Sequence, residues 1–134
     1  MCDLNRLLIY ANKKGIMRQT PQRKYIAFLD MVIAGESEGP LSPSPKYSGI
    51  LMSGFNPLIF DTVIATIIGF DFEKIPNISK AYDIKKYPIS NYNYKDIKII
   101  SNNKAWAKKI DKIRPEDTLK YIPSSGLKDH IEMK

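Results

Sequence analysis

Tyr25-Ile26-Ala27-Phe28-Leu29-Asp30-Met31-Val32-Ile33-Ala34-Gly35-Glu36-Ser37-Glu38-Gly39-Pro40 is the stretch on which the fold turns. From Lys24 to Ile33 it is a nearly continuous apolar run with one acid, Asp30. Such a run suits a strand buried on both faces, as in a parallel sheet. The second part changes character. From Ala34 to Ser48 the chain carries Gly35, Gly39, Pro40, Pro43 and Pro45, a composition that excludes helix and central strand and reads as a loop. Gly49 to Met52 then forms a second short apolar strand, and Ser53-Gly54-Phe55 a turn. Asn56-Pro57 supplies a helix N-cap followed by proline at the first helical position. That helix runs to about Ile68, where Gly69 ends it. Strand, loop, strand, turn and helix together follow βαβ-like grammar.

Upstream, Asp3 caps a helix predicted to reach about Lys14, with Leu4, Leu7, Leu8 and Ala11 on one face and Gly15 just past its end. Downstream, Ile75-Pro76-Asn77 opens a shorter helix near Ser79 to Tyr82, and Tyr87 to Tyr94 is turn-like. Ile97 to Ile100 reads as a third strand. Trp106, Ile110 and Ile113 line one face of a helix from about Asn103 to Ile113. The pattern predicts an α/β fold: a partial mixed or parallel sheet of about three strands with flanking helices, an incomplete domain over residues 1–113. Residues 114–134 are weakly patterned and read as a loosely ordered tail. No internal repeat or low-complexity tract occurs.

Composition bounds the possibilities. The chain has 134 residues, 43% hydrophobic and 26% charged, which fits a globular domain rather than a disordered chain. Its one cysteine, Cys2, has no partner for an internal disulfide. That argues for a reducing compartment and against a zinc site or an iron–sulfur cluster on this chain. Met1 to Tyr10 contains an acid and lacks the apolar core of a signal peptide. The apolar stretch Leu58 to Phe70 is broken by Asp61, Thr62 and Thr66 and is too short to span a bilayer. The expectation is a soluble, cytoplasmic protein with no membrane partner. Up to Phe72, seven basic residues stand against six acidic; from Glu73 onward, fourteen stand against eight, so most of the net +7 lies in the second half. This excess suits either an anionic-polymer surface or a lysine-rich solvated face. The abundance of Asn, Ile, Lys and Tyr favours the solvated face, so nucleic acid is not the expected partner.

The Gly35, Glu36, Glu38, Gly39, Pro40 segment looks built for a ligand. Glycines allow close approach of backbone, and prolines stiffen the loop. Ligands of α/β sheets bind beyond strand ends. Asp30 inside the first strand, Glu36 beyond it and Asp61 one turn into the following helix are candidates to converge there. Three carboxylates suit a hard cation such as Mg²⁺, or acid–base work. Each also has an ordinary structural reading. Asp30 can accept backbone N–H groups, Glu36 and Glu38 can be solvated, and Asp61 can share a polar helix face with Thr62, Ala65 and Thr66. His130 is the only histidine, no P-loop or Gly-x-Gly-x-x-Gly occurs, and Ser53 lacks the preceding glycine of a nucleophile elbow. Tyr87, Tyr92 and Tyr94 interleave with Lys85, Lys86 and Lys95, a pattern that fits base stacking or, more simply, an amphipathic surface loop.

An ordered set of motifs runs from about Asp3 to Asp83: Asp3-Leu4-Asn5; Tyr25 to Asp30; Ile33-Ala34-Gly35-Glu36; Glu38-Gly39-Pro40-Leu41; Gly54-x-Asn56-Pro57; Asp61; Gly69-Phe70-Asp71; and Lys74-Ile75-Pro76. It resembles the C-terminal part of the domain-of-unknown-function family numbered 362. Ser37 stands where the family's loop has a glycine, and Met31-Val32 where it has a small-residue step. The resemblance implies a longer parent protein, of which this chain is a fragment, a split product or a degenerate copy; as a half-domain with an exposed sheet edge, it is expected to take a missing N-terminal portion or a second copy (a homo-oligomer) as its partner. Some members carry ferredoxin-like Fe₄S₄ segments, which implies redox chemistry for the family; the cysteines for a cluster are absent from this sequence. Whether the chain catalyses a reaction stays open at this point. The first functional reading is a domain with a carboxylate-lined small-molecule or metal site around the Gly-Glu-Ser-Glu-Gly-Pro loop. The alternative is a non-catalytic interaction module whose basic half contacts nucleic acid or another anionic polymer.

Overall fold

The computed structural model describes residues 2–134; Met1, the first residue of the segment read for a signal peptide, lies outside them. In chain order they form α1 (Cys2–Tyr10), β1 (Ala27–Glu38), β2 (Ser42–Gly54), α2 (Pro57–Ile68) and α3 (Pro76–Ser79), with short 3₁₀ turns between and after them. The chain thus mixes helices with a sheet. Among the described residues, no helix is long and apolar enough to cross a membrane.

The helix predicted from Asn56-Pro57 is present and central. The Asn56 side chain accepts hydrogen bonds from the N–H groups of Leu58 (3.0 Å) and Ile59 (3.1 Å). Gly69 closes the helix in the left-handed region at φ 96°, its N–H directed to the Ala65 and Thr66 carbonyls. A helix apolar on most of its surface must be buried on most of its surface. Leu58 and Ala65 pack with Ile9, Tyr10, Ile78 and Ala81 on one side. Val63 and Ile67 pack with Ile97, Ile99, Ile110 and Ile113 on the other. Thr62 and Thr66 are buried because each hydroxyl donates back to a carbonyl one turn earlier, Leu58 and Thr62 respectively. They therefore belong to the core rather than to a polar face shared with Asp61.

The sheet departs from expectation. Where about three parallel or mixed strands are predicted, the described residues contain two antiparallel strands, paired from Ala27 with Gly54 to Glu38 with Ser42. Two properties of the decisive stretch explain this. Its apolar run is not buried on both faces: Met31 is buried, but Phe28 is 77% exposed and Leu51 on the neighbouring strand 75%. In addition, the segment read as a strand-breaking loop is the distal half of the hairpin. A two-stranded sheet leaves half of its N–H groups pointing away from the partner strand, and prolines fit such positions. Pro43 and Pro45 sit opposite Ser37 and Gly35. Gly35 is required there: a Cβ at this position would stand 2.7 Å from the Pro43 Cβ. Between the Met31–Ile50 and Ile33–Tyr47 pairs the register shifts by a bulge, where Gly49 adopts φ 64°.

Three further expectations are corrected. Helix α1 stops at Tyr10 rather than near Lys14, because Ala11 bridges to Met17 and Asn12 closes a turn onto Lys14 and Ile16. Its buried face is Ile9 and Tyr10, while Leu4 is 70% exposed. Ile97–Ile100 is extended but makes only a single bridge, Lys98 to Lys109. The predicted helix over 103–113 is replaced by turns and a 3₁₀ segment, Ile110–Lys112, because the Trp106 indole N–H is drawn to the Asp117 carbonyl (2.7 Å).

Residues 114–134 run along the end of α2. The N–H groups of Leu119, Tyr121 and Met133 donate to the carbonyls of Ile67, Ile68 and Gly69 at 2.9, 2.8 and 2.9 Å. The last carbonyls of a helix lack intrahelical partners, and this segment supplies them.

Candidate functional site

The hairpin end meets the C-terminal segment through its two glutamates. The Glu36 carboxylate accepts from the Lys46 ammonium at 2.8 Å and from the Ile122 N–H at 3.0 Å. Lys46 also donates to the Lys120 carbonyl (3.1 Å) and lies 4.9 Å from the centre of the Tyr121 ring. Partial burial pushes the Glu36 carboxyl upward, but the hydrogen bonds from Lys46 and Ile122 and the Lys46 charge outweigh it and hold the group below the ordinary glutamate range. Glu38 accepts from the Ser125 N–H at 2.7 Å. Both side chains are therefore bonded within the protein rather than held open for a ligand.

The expected carboxylate cluster does not form. Among the described residues no group of three His, Cys, Asp or Glu side chains is placed to hold a metal ion. Asp30, Glu36 and Asp61 are thus not brought together, and the structure builds no Mg²⁺ site from them. The reason lies in the bulge. Val32 and Ile33 are consecutive exposed residues, so the strand's alternation changes phase between them. Asp30 is exposed on the outer face and accepts only from the Val32 N–H (3.0 Å), whereas Glu36 is half-buried.

What the structure does bring together is the hairpin end and one face of α2. Two clefts adjoin there. The first, about 350 Å³, is bordered by Gly35, Glu36 and Gly39 of the hairpin and by Tyr121 and Leu127 of the C-terminal segment. The second, about 360 Å³, lies between Cys2 and Asn5 of α1, Asp61 and Ala65 of α2, and Asn77 beside Ile78 of α3. Ile64, Ile68 and Phe70 border both clefts and form the ridge between them. Positions 61, 64, 65 and 68 share one helical face.

Asp61 sits exposed at the mouth of the second cleft. Among the described residues its carboxylate has no hydrogen-bond or ion-pair partner within the chain; the ion pairs all lie elsewhere. The apolar wall beneath it displaces water and pushes its pKa above the ordinary aspartate value.

The sequence nominates Gly35, Glu36, Glu38, Gly39 and Pro40 as a ligand loop and Asp61 as a co-ligand of Asp30 and Glu36, but it gives no sign of the groups that Glu36 and Glu38 bind. Lys46 sits in the segment read as an irregular loop, and Ile122 and Ser125 are 86 and 87 residues from the glutamates they bind. No local pattern signals contacts of that range. The spacing of Asp61, Ile64, Ala65 and Ile68 is a signal that would have found the cleft face of α2. Comparison with protein-family models, with curated proteins and with solved structures found no match.

Proposed function

We propose that the chain is a small-molecule-binding domain whose site is the pair of clefts on either side of the Ile64–Ile68 ridge. One observation carries this reading: the Gly-rich hairpin end and the Asp61 face of α2 border a common apolar ridge. Ligand pockets are typically about 300–1,000 Å³, mainly apolar, with a few polar groups that orient the ligand. Both clefts have that size and character. The metal version of the site is set aside, because Glu36 is neutralised by Lys46 and Asp30 is exposed on the outer face of the hairpin. The likeness to the domain-of-unknown-function family numbered 362 falls on the same hairpin and helix, so membership is part of this proposal. A reducing, cytoplasmic setting for Cys2 is part of it too.

The test is methyl NMR on the isoleucines. Hexanol at millimolar concentration is expected to shift the Ile64 and Ile68 methyl signals, and Ile64→Trp to abolish the Ile68 shift by filling the space. In carboxyl-detected NMR, Mg²⁺ is expected to leave the signals of Asp30, Glu36 and Asp61 unchanged. Unmoved Ile64 and Ile68 methyls at saturating hexanol would refute the reading.

A second reading, an interaction module, is favoured by the hairpin's outer face. Phe28, Ile33, Tyr47 and Leu51 are 58–81% exposed on it. The occupant proposed is a second copy of this chain, packed with its own hairpin face against this one. Sedimentation tests it, and a monomer at all concentrations removes it. In the basic half, Lys108, Lys109, Lys112 and Arg114 each face an acid, which lowers the charge that these four present to a polyanion.

A further inference from the structure

We propose that the Asp61 cleft takes an apolar molecule bearing a single protonated amine, with the ammonium held by the Asp61 carboxylate and the apolar body laid along Ile64, Ile68 and Phe70. The inference rests on the small-molecule reading and names the ligand's chemistry.

Four observations carry it. The walls of the cleft are isoleucine, leucine, alanine and phenylalanine, so the body of the ligand must be apolar. Among the described residues that border it, Asp61 is the one charged side chain and Cys2 the only other titratable group, its thiol directed to the Asn77 carbonyl (3.6 Å). The chain carries 21 lysines and arginines, yet none among the described residues pairs with this carboxylate. A carboxylate beside an apolar wall offers a cation a charge-assisted hydrogen bond that the wall itself cannot. The remaining polar groups, Asn5 and Asn77, are neutral and leave the charge requirement to Asp61.

Other ligand classes fit less well. A divalent cation needs several oxygen ligands, and this cleft offers one carboxylate. An anion would be repelled by Asp61. A neutral apolar molecule would fill the walls but leave the carboxylate unmatched.

Calorimetric titration of the full chain with hexylammonium and with hexanol separates these cases, since the two probes share an apolar body. Hexylammonium is expected to bind a few-fold tighter than hexanol, the gain of about 0.5–1 kcal/mol typical of an exposed ion pair. Asp61→Asn is expected to bring the amine down to the affinity of the alcohol without changing the alcohol's affinity. Asp61→Glu is expected to retain most of the preference, and cooperative thermal unfolding of both variants confirms that they fold. Equal binding of amine and alcohol to the unmodified chain, or an amine preference that survives Asp61→Asn, overturns the inference and leaves the cleft reading standing. Absence of binding by both probes overturns the inference and the cleft reading together.

Discussion

Glu36 shows how a residue's role depends on partners that sequence does not display. Its position in a Gly-Glu-x-Glu-Gly-Pro segment reads as a ligand group, yet its oxygen is shared between Lys46 and the Ile122 N–H. Glu36→Gln is expected to cost about 1–2 kcal/mol, between the values for exposed ion pairs and for hydrogen bonds to charged groups, because the pair is partly buried. The pH dependence follows from its depressed pKa. The carboxylate contributes stability that is present above the unfolded glutamate value and is lost as pH falls through the lower, folded value. Chemical denaturation at a series of acidic pH values should therefore show the unmodified chain and Glu36→Gln converging in stability as pH falls. A constant gap between them would mean that the ion pair contributes nothing. The residue types needed for this bond, Glu36 and Lys46, are visible in the sequence; their pairing depends on a hairpin register that the proline-rich segment conceals.

At the scale of elements, α2 was legible because its signals are local. Asn56, Pro57 and Gly69 each act within a few residues of the helix end they define. Asn56→Ala is expected to destabilise by about 1 kcal/mol through loss of the cap. Gly69→Ala should exceed that, because φ 96° is costly for a side-chain-bearing residue and the new Cβ would stand 2.9 Å from the Thr118 hydroxyl. Thermal melts that ranked Asn56→Ala as the more damaging would contradict this account of the helix end. The hairpin was legible only in part. Its apolar residues identify β1, but period-two exposure is obscured by the phase change between Val32 and Ile33. The prolines of β2 mimic a loop because the same residues that cannot enter a central strand are permitted at an edge.

For the whole molecule, the outer face of the hairpin sets what a second copy can contribute. Twelve residues of β1, at about 3.4 Å each and with a second strand about 4.8 Å away, present a face on the order of 400 Å². Stable complexes bury about 800 Å² per partner, so pairing through this face should be weak and concentration-dependent. Sedimentation is expected to show a dimer only at high protein concentration, and Leu51→Lys to abolish it while leaving the melting temperature nearly unchanged. The C-terminal segment belongs to the same scale. It binds the last carbonyls of α2 and the hairpin glutamates, and its buried Tyr121 and Ile131 depend on contacts made across the chain.

The amino-acid sequence by itself determined the mixed helix-and-strand class and the start and end of α2. These depend on capping, backbone preference and short apolar spacing, which act over a few residues. Only the tertiary structure decided that the strands pair as an antiparallel hairpin, that Asp30 and Glu36 lie on different faces, that the glutamates are bonded to the C-terminal segment, and that Asp61 is left without a partner among the described residues. Those outcomes depend on one bulge and on contacts spanning most of the chain, where geometry rather than residue type selects the partner.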